Sequence, residues 1–211
     1  MLLGQLADRR ARTAVELARA LRAERAAVEA ALGSLVGAGR VDALSGGGRR
    51  HFLLADIDAP ASAAGEPAPI PTWTHDRRVL EARTCYRHLA GRLGVALTDR
   101  LRARGFIDAR WRATREGAQL LGAWGVADAG HREGRGCLDS TERRLHLGGA
   151  LGAAVCDALF ARGWLVRMDA PRAVGLTDAG RTAFAEAGVD VSALSAIEDG
   201  AHGPTGAAME R

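Results

Sequence analysis

The stretch from residue 88 to residue 126 is written twice. His88-Leu89-Ala90-Gly91-Arg92-Leu93-Gly94-Val95-Ala96 returns as His146-Leu147-Gly148-Gly149-Ala150-Leu151-Gly152-Ala153-Ala154. The echo continues through Asp99 and Asp157, Leu101 and Leu159, Ala103-Arg104-Gly105 and Ala161-Arg162-Gly163, and the aromatics Phe106 and Trp164. Thr114-Arg115-Glu116-Gly117 corresponds to Thr177-Asp178-Ala179-Gly180, each opening an expected helix that ends at Gly125-Val126 or Gly188-Val189. Leu165–Met168 and Ala173–Leu176, an insertion in the second copy, are expected to pair as strands around Pro171. The repeated unit is thus expected to be helix, short hairpin, helix. Such a unit cannot cover its own apolar face, so two copies should share one core. Gly91, Gly94, Gly148, Gly149 and Gly152 fall in the expected long helices, although glycine inside a helix costs about 1 kcal/mol. Close approach of two helices across a pseudo-twofold or dimer axis would account for them.

A different module precedes the repeat. Thr13-Ala14-Val15-Glu16 has the form of a capping box, and Leu17 and Leu21 follow on one face of a short helix. After Arg22-Ala23 a second helix opens near Glu24, with Val28, Leu32, Leu35 and Val36 as its apolar stripe and Gly37 and Gly39 as its stop. Two apolar runs, Val41–Leu44 and Phe52–Leu54, flank Ser45-Gly46-Gly47-Gly48-Arg49-Arg50. That pattern predicts a hairpin with a glycine tip and a basic shoulder, suited to lie against phosphates.

The fold class expected is mainly α with small β-hairpins (α+β): an N-terminal winged helix-turn-helix over residues 1–55 and a C-terminal duplicated domain over 76–194. Residues 56–75 hold four of the six prolines and read as a linker; residues 195–211 read as a disordered tail.

Charge is unevenly placed. The chain has 29 basic residues, all arginine, and 25 acids, a net of +4. Residues 1–54 carry nine arginines (9, 10, 12, 19, 22, 25, 40, 49, 50) against five acids (8, 16, 24, 29, 42), which accounts for the whole excess. A local excess of this kind attracts a phosphate backbone without specifying sequence. No run approaches the roughly 20 apolar residues of a membrane span, no signal peptide opens the chain, and three cysteines are too few for a disulfide framework. A cytoplasmic protein with no membrane partner is the expectation.

Each repeat carries one cysteine and one histidine. Cys85 and His88, three apart, are expected on one helix face; Cys137 precedes an expected helix cap at Asp139-Ser140-Thr141-Glu142, with His146 beyond it. Together they could supply four ligands for zinc, cadmium or a similar divalent ion. Their unequal spacings match no ribbon or finger pattern, and buried thiols with hydrogen-bonded histidines are the plainer reading. Cys85–His88 lacks an orienting partner or oxyanion site, so no enzyme is expected. Cys156 reads as packing, and Trp73, Trp111, Trp124 and Trp164 as core or interface aromatics.

Thr84-Cys85-Tyr86-Arg87-His88-Leu89-Ala90-Gly91 and Cys137-Leu138-Asp139-Ser140-Thr141-Glu142-Arg143-Arg144 carry a resemblance. Over about residues 1–194 the chain resembles the ArsR/SmtB bacterial helix-turn-helix repressors, in their longer form with a C-terminal domain. The resemblance implies a homodimeric, ligand-responsive repressor of transcription. Four departures stand out. The family's first dimerising helix is expected to be missing, and the proline-rich segment replaces the helix after the wing. Ala18 and Ala20 stand where arsenic- and cadmium-type members have a cysteine pair, and Arg87 replaces an aspartate, placing a positive charge beside the candidate metal ligands.

The leading expectation is a regulator gripping double-stranded DNA. Residues 24–36 would enter the major groove, presenting Arg25, Ala26, Ala27, Glu29 and Ala30, with Arg22 as a further DNA-binding candidate just before them. Arg49, Arg50 and His51 of the wing would meet phosphate or the minor groove. Arg25 suits guanine or phosphate, Glu29 suits cytosine N4, and the alanines offer only contact with thymine methyls. The alternative is a ligand-binding or protein-interaction module whose helix-turn-helix has decayed.

Overall fold

The computed structural model describes residues 1–46, 48–55 and 76–195. The segment 56–75, including Trp73, and residues 196–211 lie outside it, so the expectation of a linker, and that of a disordered tail beyond Ser195, fall outside the described residues; Ser195 itself is held by the Glu81 carboxylate.

A four-residue helix α1 (Leu2–Gln5) leads to Arg12, which exchanges both backbone hydrogen bonds with Phe52 at 2.8 Å. Helix α2 (Ala14–Leu21) starts at the expected capping box: the Thr13 hydroxyl accepts from Glu16 N–H, and the Glu16 carboxylate accepts from Thr13 N–H at 2.8 Å. It ends at Arg22 in the left-handed region, and α3 (Arg25–Gly37) follows after two further residues. Strands β1 (Val41–Gly46) and β2 (Arg49–Leu54) pair antiparallel from Val41↔Leu54 to Gly46↔Arg49. The strands run further than expected, so Arg49 and Arg50 belong to β2 and not to a loop. Leu6, Leu17, Val28, Leu32, Val41 and Phe52 form the core of this part, bringing together the apolar positions of both helices and the hairpin.

After α4 (Arg77–Glu81) come two hairpin–helix runs. Strands β3 (Arg83–Cys85) and β4 (His88–Ala90) precede α5 (Gly91–Ala103); strands β5 (Gly134–Leu138) and β6 (Leu145–Gly148) precede α7 (Gly149–Ala161). Here the structure corrects the sequence reading. Cys85 and His88 do not share a helix face; they face each other across β3 and β4. Asp139–Glu142 caps no helix but forms the turn between β5 and β6. Strands β3 and β4, three residues each, are too short to show a period of two, and β4 runs straight into α5, whose helical pattern dominates.

The glycines have a local reason. Gly91 and Gly149 open the two helices at φ of +76° and +73°, a conformation that side chains resist. Gly94 and Gly152 let the helices settle on the carbonyls of Leu89 and Leu147 in the preceding strands; helix-to-helix approach is not what they serve. β4 lies against α7 while β6 lies against α5, so each hairpin leans on the other run's helix.

Both runs finish alike. Thr114 caps α6 (Arg115–Ala123) and Thr177 caps α8 (Asp178–Glu186), each hydroxyl accepting from the N–H three residues on, Gly117 and Gly180. Before α8, strands β7 (Leu165–Arg167) and β8 (Val174–Leu176) form the expected hairpin; before α6 only an Ile107–Ala113 bridge is made. Leu93, Leu101, Leu121, Leu151, Leu159 and Phe184 join one core with Trp111 and Trp124, and Trp164 packs on Trp124 with ring centroids 5.8 Å apart. The architecture is therefore mixed helix and small antiparallel hairpins. Among the described residues no helix is long and apolar enough to cross a membrane.

Candidate DNA interface and metal centre

Two sites emerge. In the first, Arg25 and Glu29 on α3, Arg49 and Arg50 on β2, and the start of α2 line one groove of about 780 Å³. Arg22, Arg25, Ala26, Glu29, Ala30, Arg49 and Arg50 reach solvent. Arg25 is not free, because its Nε donates to Glu29 Oε1 at 2.8 Å along the helix. His51 departs from the expected surface. The alternation of β2 turns it inward, it is 8% exposed, and its Nδ1 is buried without a hydrogen-bond partner among the described residues. Burial, with the Arg143 charge nearby, lowers its pKa, which favours the neutral ring. Its side chain is not presented to a ligand in this groove.

The second site joins the two hairpins. Cys85 on β3, His88 on β4, Cys137 on β5 and His146 on β6 are all buried, and one ligand atom from each lies within 4.8 Å of the others. The sulfurs are 4.0 Å apart, and His88 Nδ1 is 3.1 Å from His146 Nε2. Metal bonds of about 2.3 Å to sulfur and about 2.0–2.1 Å to nitrogen put tetrahedral ligands about 3.8 Å apart for two sulfurs and about 3.4 Å for two nitrogens. The donor set and its spacing fit a zinc-like cation. All four residues expected as ligands are brought together, from strands in place of helices.

Protonation suits the same chemistry. The sulfur–sulfur contact with Cys137, and His146 beside it, hold the Cys85 thiol down to about 4, while the same contact and burial push Cys137 up. Burial and the neighbouring His146 lower His88 to about 4, so it is a neutral ring with a lone pair to give at neutral pH. Cys156 stands apart, pushed up to about 12 by burial and Asp157. The Arg87 charge does not bear directly on the ligands: its guanidinium is 75% exposed and held by Asp157 at 2.8 Å.

Sequence reasoning missed Asp139. It is fully buried, and its Oδ1 accepts from Arg83 at 2.6 Å, Thr141 N–H and hydroxyl at 2.9 Å, and Glu142 N–H at 3.0 Å. Oδ2 accepts from Gly91 N–H at 2.8 Å and lies 3.5 Å from His146 Nδ1. Burial pushes this carboxyl up, but Arg83, His146 and the backbone donors outweigh it and hold it well below the usual range. A signal was present: Arg83 and Arg135 stand at the same offset before the two cysteines.

No protein-family model and no solved structure matches the chain. A curated relative does. Over 155 residues, 65% of this chain and 68% of the relative, the sequence is 34% identical to the uncharacterized HTH-type transcriptional regulator YdfF of Bacillus subtilis (strain 168). The chain belongs to the HTH-type transcriptional regulators, a class of proteins that are not enzymes.

Proposed function

We propose that this chain is a winged helix-turn-helix repressor of the ArsR type, a cytoplasmic homodimer whose grip on double-stranded DNA is set by a divalent cation. The N-terminal part (1–55) is the DNA-binding unit and 76–194 the duplicated sensor. The order α1, Arg12 bridge, α2, α3, β1, β2 supports this reading: α3 is the recognition helix and β1–β2 the wing. The observation that carries it is the shared groove, because Arg25, Arg49 and Arg50, from two separate elements, converge on one surface. Phosphate contacts of this kind fix a protein on a duplex and make binding salt-dependent. Zinc or cadmium would be held by Cys85, His88, Cys137 and His146, two thiolates and two imidazoles, the soft set such ions select.

One observation favours the second reading, a ligand-binding or protein-interaction module with a degenerate helix-turn-helix. The Arg25–Glu29 pair occupies the leading base-reading arginine, and Ala26 and Ala30 bring only methyl groups. Gel shifts on the DNA upstream of the chain's own reading frame decide between them. Retardation at low salt that weakens in the Arg49→Ala/Arg50→Ala variant is the expected result. No retardation at low salt supports the module.

A further inference from the structure

We infer that the turn 139–144 relays cation occupancy of the Cys/His cluster to helix α2, and that Asp139 is the positioning residue joining the two. This rests on the metal reading above. The turn is bounded by ligands: it begins two residues after Cys137 and ends two before His146. Any change in how those ligands sit enters the turn from both sides.

Asp139 sets the turn's shape. Its Oδ1 gathers Thr141 and Glu142 N–H, and both oxygens tie the turn to the first hairpin–helix run through Arg83 and Gly91. Among the described residues, His146 Nδ1 is left buried with no hydrogen-bond partner, 3.5 Å from Oδ2, beyond hydrogen-bonding reach for that donor. A histidine that gives Nε2 to a cation carries its proton on Nδ1, and metal-bound histidines almost always donate that proton to a carboxylate, carbonyl or water. Asp139 is the carboxylate in place. Closing the gap moves either His146 or the residue on which the turn is built.

The far end of the turn grips the N-terminal part. Arg143 C=O accepts from Ala11 N–H at 2.6 Å, and Arg143 Nη1 donates to Glu16 Oε1 at 2.5 Å. Glu16 is the carboxylate of the α2 capping box, so the turn holds the residue that starts the first helix of the helix-turn-helix pair. Leu138 packs with Ala11, Leu44 and Leu53, adding an apolar seam to the polar one. Packed contacts of this kind shift between discrete arrangements, so a displacement on the order of 1 Å or less at Asp139 is felt at the α2–α3 pair.

The test uses the full chain, cobalt(II) absorption to report the cluster, and fluorescence anisotropy on the duplex upstream of its own reading frame. Wild type is expected to show tetrahedral cobalt bands and a zinc-dependent change in DNA affinity of about 5- to 150-fold, the usual span of coupling between sites. Arg143→Ala is expected to keep the cobalt bands and lose the zinc dependence to within about twofold of none. Asp139→Asn is expected to weaken cobalt binding by about 10- to 100-fold, as loss of an outer carboxylate does. Should Asp139→Asn not fold, Arg143→Ala still decides. Cobalt bands with no zinc effect on wild-type affinity, or a full zinc effect in Arg143→Ala, overturn the relay and leave the metal site standing. Absent cobalt bands overturn metal site and relay together; bands without any duplex binding overturn the proposed function and the relay.

Discussion

Cys85 and Cys137 are 52 positions apart in the chain and 4.0 Å apart in space, sulfur to sulfur. That closeness, with His146 beside it, holds the Cys85 thiol down to about 4, which lowers the cost of clearing the site for a cation.

Zinc binding at pH 7 is accordingly expected to release about one proton, from Cys137, since ligands must be deprotonated to bind. Calorimetry in buffers of different ionisation enthalpy reads that number directly. Cys85→Ser/Cys137→Ser should lose tight binding, and bound zinc should shield both thiols from iodoacetamide. Equal zinc affinity in wild type and double mutant would remove the site.

DNA binding should depend on the wing arginines through phosphate. Replacing both Arg49 and Arg50 by alanine is expected to lower affinity for every duplex alike and to flatten the log K against log salt slope by about 2, roughly one unit for each phosphate no longer neutralised. A salt titration that superimposes on wild type counts against the wing. His51→Gln, buried in β2, should leave the slope untouched.

Removing Asp139 should be costly. Asp139→Ala leaves Arg83, itself 4% exposed, as a buried charge without its carboxylate, a change that typically costs about 3–5 kcal/mol. Urea unfolding measures it, and a loss well under about 1 kcal/mol would show that Arg83 finds water or another acceptor.

Acid should loosen α2. Burial pushes the Glu16 carboxyl up, but Thr13 N–H and Arg143 outweigh it and hold Glu16 down to about 2, against an ordinary 4.5. A folded pKa below the unfolded one means that the stabilisation is complete above pH 4.5 and fades as pH falls toward 2. Thermal melts followed by helix circular dichroism over that window should fall less steeply for Glu16→Gln than for wild type. Parallel curves would mean that Glu16 contributes nothing to the acid response.

Local features were legible in the sequence. The Thr13–Glu16 box, the Thr114 and Thr177 caps and the β7–β8 hairpin depend on residues a few positions apart, and their chemistry is confined to that span. The partnership of the cysteines and histidines was also legible, because the repeat doubled the pattern. Their strands were not, since β3 and β4 are three residues each and merge into α5. The inward turn of His51 follows from a strand that starts at Arg49, three residues before the apolar run that marked it. Asp139 was hidden for another reason: it stands where a helix cap is common, and only Arg83, 56 positions earlier, reveals it as a buried anchor.

The crossed seating of β4 on α7 and β6 on α5 makes the two hairpin–helix runs mutually dependent. A fragment cut between α6 and β5 would strand α5 beside an empty berth and leave Cys85 and His88 as half a cage.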